Sequence, residues 1–195
     1  MKRLVTVALV LAAAGTLLVS DAAAQARGVL GIGIGVPVGD FADETIGGAQ
    51  SGGGTALAGV EWLPRGGRLG VRVDGAYNRF CTSACDQVGG DLDVRYRFLN
   101  GNLNGLLEFP FGAEANLRPY LIAGVGIYNY RLEGDDVPLG LDESETDFGV
   151  NGGLGLTYAL GRVGVFAEGR FHNVFTSESD LQYIPIVVGA RIDLR

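Results

Sequence analysis

From Asp147 to Phe175 the chain alternates apolar residues with small or polar ones in two runs, interrupted only by Gly161 and Arg162. In the second run Val163, Val165, Ala167 and Phe171 share one face, and Glu168, Arg170 and His172 share the other. A repeat of two residues predicts a β-hairpin and excludes an amphipathic helix, whose stripe repeats every 3.6 residues. Each run is roughly 12 residues long, beyond the usual strand of about 5–6 but suited to a tilted strand that crosses a bilayer.

The same alternation recurs along the chain and predicts eight strands. The first runs from Arg27 to Val38, with Leu30, Ile32, Ile34 and Val36 set between glycines. A polar connector from Gly39 to Gly53 leads to the second strand, Gly54 to Leu63, and the Pro64–Arg68 turn leads to the third, Leu69 to Phe80. A cysteine-containing loop precedes a long fourth segment, Asp91 to Phe109, in which Asn100-Gly101 is expected to form a bulge. The fifth strand spans Pro119 to Arg131, the opening hairpin supplies the sixth and seventh, and the last runs from Tyr183 to Leu194. Long connectors follow strands one, three, five and seven, and tight turns follow two, four and six. Outer-membrane barrels show this asymmetry, with short periplasmic turns and long external loops.

Alternation alone does not say which face points inward, because a soluble barrel has the same period. Export decides part of the question: Lys2 and Arg3, an apolar run from Leu4 to Val19 and then Ala22-Ala23-Ala24 form a secretory signal peptide, expected over residues 1–24. The barrel domain is then residues 25–195. Loop asymmetry is the second feature. The third is the position of Trp62, Tyr77, Phe109, Phe148 and Tyr158 near the ends of the apolar faces, as in the aromatic girdles of membrane barrels. The apolar face is therefore expected to face lipid, giving an all-β, eight-stranded antiparallel up-and-down transmembrane β-barrel.

Composition narrows the partners. The chain has 33 glycines and a net charge of −7, and Lys2 is its only lysine. An acidic balance argues against nucleic acid, whose phosphates need a basic footprint. The two cysteines, Cys81 and Cys85, share one loop of an exported chain, which favours a disulfide over a metal or redox pair, since no histidines lie nearby.

The stretches RPYLIAGVGIYNYR, DFGVNGGLGLTYAL and FAEGRFHNVF, closing with YIPIVVGARIDL, resemble the outer-membrane β-barrel domain family related to OmpA and OmpX. The resemblance covers nearly all of the predicted mature chain and implies an outer-membrane location and a fold rather than an activity. Gly189, Ile192 and Leu194 resemble the family's carboxy-terminal signal to the barrel assembly machinery, with Arg195 following where an aromatic often ends such chains.

With the apolar face outward, Glu61, Arg72, Asp74, Asn104, Glu108, Asn151, Glu168, Arg170, His172, Arg191 and Asp193 point into the lumen. An eight-stranded barrel is just wide enough for side chains to fill it, and charges buried there must pair. A plugged polar core is the principal expectation. A narrow channel that transports small solutes or hydrophobic compounds is the alternative, favoured by glycines at 31, 33, 35, 124, 126, 153 and 155. A lipid-acting His-Ser-Glu enzyme, built on His172, Glu168 and Ser177 or Ser179, is weighed against the inward direction of His172, and no catalytic residue is assigned. Gly31, Gly33 and Gly35 do not form a dinucleotide site, because no helix follows them.

The loops carry most of the acid, with Glu133, Asp135, Asp136, Asp142, Glu143, Glu145 and Asp147 in or beside the third. Clustered carboxylates suit a divalent cation, but the spacing does not match an EF-hand and a solvated loop is expected; no metal or other cofactor is assigned. Arg79, Arg95, Arg97 and Arg131 fall near the external ends of their strands and face outward. There they are candidates to hold lipopolysaccharide phosphates, or to pair with the acidic loops. The expected protein is a monomer with a structural or surface-interaction role, embedded in outer-membrane lipid.

Overall fold

In the computed structural model the described residues are 24–42, 51–64, 67–81, 95–109, 116–133, 144–176 and 180–194. Eight strands make up almost all of them: β1 (Ala24–Val38), β2 (Ser51–Pro64), β3 (Leu69–Cys81), β4 (Arg95–Glu108), β5 (Leu117–Glu133), β6 (Glu145–Leu160), β7 (Val163–Val174) and β8 (Leu181–Leu194). Each pairs antiparallel with its neighbours in sequence, and β1 pairs with β8 from Ala26↔Leu194 to Val38↔Gln182, so the sheet is a closed barrel. Closure matters because it leaves no backbone edge to satisfy in a medium without water.

Strand directions put Ala24 and Leu194 at the end that carries the tight turns. At the β6–β7 turn, Gly161 takes φ 69°, in the left-handed region that suits glycine. Glu145, Glu133 and Val174 mark the opposite, long-loop end.

The apolar face points outward, as the alternation predicts. Ile32 is 70% exposed and Leu154 67%, and Leu30, Ile34, Leu121, Ile127, Val165 and Val188 extend the same surface around the barrel. An apolar surface of this extent is covered by lipid rather than water. Tyr77, Phe109, Phe148 and Tyr158 are exposed on this face, with Trp62 half-buried on it.

Several boundaries differ from the sequence reading. β1 begins three residues earlier than the alternation marks, at Ala24, and β5, β6 and β8 each begin two earlier, at Leu117, Glu145 and Leu181. No bulge occurs at Asn100-Gly101, where the register runs unbroken to both β3 and β5. Asn100 keeps the inward side of the pleat and accepts a hydrogen bond from Asn78, so the alternation never slips. The register shifts instead between Ser51 and Gly54, at the start of β2. In the first connector, Gly39–Ala42 forms a short 3-10 helix (η1), with Gly39 at φ 59°. Residues 82–94, including Cys85 and the first part of the expected fourth strand, lie outside the described residues. So do Asp135 to Glu143 of the third loop, Ser177, Ser179 and the expected signal segment up to residue 23. Among the described residues there is no disulfide.

Candidate functional site

The lumen brings together every residue that the sequence assigns to it. Glu61, Arg72, Asp74, Asn104, Glu108, Asn151, Glu168, Arg170, His172 and Arg191 are all buried, and Asp193 is half-buried at the turn end. They lie on β2, β3, β4, β6, β7 and β8, yet side-chain pairing joins most of them into one network.

Its turn-end half is organised by Arg27. This guanidinium lies 3.1 Å from Glu108, 3.2 Å from Asp193 and 3.5 Å from Glu61. Arg191 adds contacts of 3.6 Å to Glu61 and 3.5 Å to Glu108, and its guanidinium sits 4.2 Å from the centre of the Tyr120 ring. Arg72, 4.0 Å from Glu61, links this half to the next.

At mid-height, two carboxylates face two guanidiniums. Glu168 accepts hydrogen bonds from Arg72 at 2.5 Å, from Arg170 at 2.6 Å and from the Tyr120 hydroxyl at 2.6 Å. Asp74 accepts from Arg72 at 3.1 Å, from Arg170 at 3.2 Å, and from the Asn102 and Asn104 amides at 2.9 Å each. Opposite charges at these distances offset the large cost of burying each ion alone. A cavity among Asp74, Asn78, Asn102, Glu168, Arg170 and His172 measures about 10 Å³. That is at the lower limit for one water molecule.

Above the charges the lumen turns aromatic, which the polar-core expectation did not include. Phe80, Phe98, Tyr128, Val174 and Tyr183 form a buried cluster at the long-loop end. Phe41, carried on η1, drops into it and meets Phe80 and Phe98 edge-on at 5.4 and 5.5 Å between ring centres. His172 belongs to the junction between the two layers. Its ring stacks on Tyr183 at 4.8 Å, and its Nδ1 is 2.8 Å from the Tyr128 hydroxyl.

Glycine does not open the lumen. Tyr120 lies opposite Gly155 in the strand register, Phe166 opposite Gly189, Arg170 opposite Gly153, Asn104 opposite Gly124 and Asn102 opposite Gly126. A Cβ at any of these glycines would collide with that opposing residue. Of the glycines taken as a sign of a channel, Gly35 and Gly155 thus leave room for the Phe80 and Tyr120 rings and Gly124 and Gly126 for the Asn104 and Asn102 amides, while at Gly33 a Cβ would meet the Ile186 backbone.

Sequence reasoning missed Arg27, Phe41 and the inward aromatics. Arg27 shares the parity of the polar face near the start of β1, and that parity is the signal that finds it. The aromatics share it too, but a face already assigned as polar gave no reason to expect them.

On the outer surface, Arg79 is exposed and Arg97 and Arg131 are half-buried. Register sets Arg79 beside Arg97 and Arg97 beside Arg131, while Arg95 pairs in register with Glu133. At the rim Tyr130 donates from its hydroxyl to Glu145 at 2.5 Å and to Asp147 at 3.0 Å. Among the described residues no group of three or more His, Cys, Asp or Glu side chains is arranged to hold a metal.

Comparison with known proteins agrees with this architecture. No curated protein sequence matches the chain. Among solved structures it is similar to Neisserial surface protein A (TM-score 0.58, 15% identity, covering 88% of this chain and 97% of that one). It is likewise similar to a major outer membrane protein of Thermus thermophilus (0.56, 14%, 87% and 99%). A third is Ail, the attachment invasion locus protein of Yersinia pestis, solved with the heparin analogue sucrose octasulfate (0.52, 12%, 86% and 99%). At these identities the likeness is one of fold. A model of the outer membrane protein beta-barrel domain matches residues 8–191, and the chain belongs to that outer-membrane β-barrel family.

Proposed function

We propose that the protein is a closed outer-membrane barrel with a structural or surface-interaction role, a rigid support for its long external loops. The observation that carries this reading is the filled lumen: a paired charge network capped by aromatics, with a cavity of about 10 Å³ at mid-height. Ions need a continuous wet path, and a solute needs far more space than one water. Purified barrel in planar bilayers is expected to give no steady conductance. A reproducible open level would overturn the closed reading in favour of transport.

The same lumen supports a non-catalytic role. The ring of His172 is 2% exposed and held between Tyr183 and Tyr128, out of reach of acyl chains on the outer wall. A lipid-acting site needs its base beside the scissile ester. Export through a signal peptide ending near Ala24 and insertion by the barrel assembly machinery complete the proposal. Amino-terminal sequencing of protein from the membrane fraction tests the cleavage, and retention of the leader would overturn it. A barrel without free edges needs no partner copy, so a monomer is expected.

A further inference from the structure

We infer that the outer wall at β2 to β5 binds the phosphorylated, multiply acylated glucosamine lipid of the external leaflet, the lipid A part of lipopolysaccharide. Arg79, Arg97 and Arg131 occupy directly opposed positions on three consecutive strands, with Phe80 and Phe98 pointing inward beside them. Side chains so opposed have Cβ atoms about 4.5–5.5 Å apart, and like charges there repel. An anion with several oxygens, placed over the row, converts that repulsion into attraction, and guanidinium forks bind phosphate in pairs of hydrogen bonds.

Next to the row the wall is indented. One outward position further from the loops lie Ala56, Tyr77 and Leu99, and one further again lie Ala58, Gly75 and Gly101. An open apolar groove of about 610 Å³ runs from Tyr77 and Leu99 across Ala56 and Ala58 to Leu30 and Ile32 of β1 and Val188 of β8. Successive outward positions are about 6.8 Å apart along a strand, so the groove begins within one such step of the guanidinium row. Packing does not demand glycine here. A Cβ at Gly101 would meet nothing within 4 Å, and one at Gly75 would meet only the Asn100 carbonyl at 3.5 Å. Glycine inside a strand weakens it and marks a bulge, a tight bend or the close approach of a ligand or another backbone; the register through Gly75 and Gly101 is unbroken, so no bulge accounts for these two.

Charge and shape therefore select one occupant. A phosphate seats on the arginines at the height where the apolar surface ends, and an acyl chain runs down the groove. Arg97 and Arg131 also engage neighbours within the protein. This is compatible with the site, because each guanidinium has five donors to share.

The test uses the full chain in detergent, checked for folding by heat-modifiable gel migration, with bound lipid counted by native mass spectrometry and affinity measured by titration. Wild type is expected to retain one lipid A. Replacing all three arginines (Arg79→Gln, Arg97→Gln, Arg131→Gln) should weaken binding at least tenfold. Arg97→Gln alone, at the centre of the row, should weaken it severalfold. Filling the groove with Ala58→Leu and Gly75→Leu should also weaken lipid A, without affecting folding, since both positions face outward from the barrel. Unchanged affinity in the triple variant overturns the inference. So does equal affinity for inorganic phosphate, for the deacylated phosphodisaccharide or for phosphatidylglycerol. The closed-lumen reading stands apart: a non-conducting barrel that ignores lipid A would keep that reading and lose this one.

Discussion

Replacing Glu168 by alanine probes the centre of the lumen. The carboxylate accepts three short hydrogen bonds, from Arg72, Arg170 and Tyr120, and is almost wholly buried. Hydrogen bonds to a charged group contribute about 1.5–3 kcal/mol each, so their gross loss is about 4.5–9 kcal/mol. Part is recovered, because both arginines keep Asp74, at 3.1 Å each. Removing one partner of a buried ion pair costs about 3–5 kcal/mol, and the remaining acid places Glu168→Ala within that range. With a guanidinium dependence of about 5 kcal/mol per molar, as for a chain exposing this much surface, the midpoint falls by about 0.6–1 M. The assay is unfolding in phospholipid vesicles, followed by fluorescence of Trp62, the only tryptophan and an outward residue. A second variant sharpens the test. Replacing Glu168 and Arg170 together by methionine removes an acid with a base, so its cost should be clearly less than the sum of the two single replacements. A Glu168→Ala midpoint within about 0.2 M of wild type, roughly 1 kcal/mol, or strict additivity in the pair, would refute the view of these charges as one coupled network.

Gly155→Ala should destabilise by about 1–3 kcal/mol because its Cβ would meet the Tyr120 ring, whereas Gly101→Ala, in open space, should stay within about 0.5 kcal/mol of wild type; equal midpoints for the two would deny that inward glycines act as sockets. Phe41→Ala should cost about 3 kcal/mol, as for a large buried ring, yet leave the bilayer recordings silent, since the charged layer beneath it stays intact. A steady current in that variant would move the seal from the charges to the aromatic cap. Cys81 and Cys85 should resist alkylation in native protein until reductant is added; two reactive thiols, seen by mass measurement, would sink the proposed disulfide.

Strand number, pairing order and facing were legible because each depends on a signal that repeats. A face error of one residue would carry every apolar side chain of a strand into the lumen, so alternation is strongly enforced, and Glu168, Arg170 and His172 could be placed together from β7 alone. What joins them to Asp74, Arg72 and Tyr120 depends on how separate strands align, and no local pattern records that alignment. The inward aromatics follow a different rule from the outward face. Treating one face as apolar and the other as polar describes contact with lipid correctly, because only the outer face meets a uniform solvent. The inner face meets other side chains, and its rule is one of volume. Tyr120 needs Gly155, Phe166 needs Gly189 and Arg170 needs Gly153, each pair directly opposed in register. At Gly155 the room goes to the Tyr120 ring itself, whereas at Gly153 and Gly189 a Cβ would first meet the carbonyl of Gly169 or Leu30 and then the larger neighbour. Gly31, Gly35 and Gly155 mark the places of Val187, Phe80 and Tyr120, and so point to a full lumen, the opposite of the channel that their small size suggested.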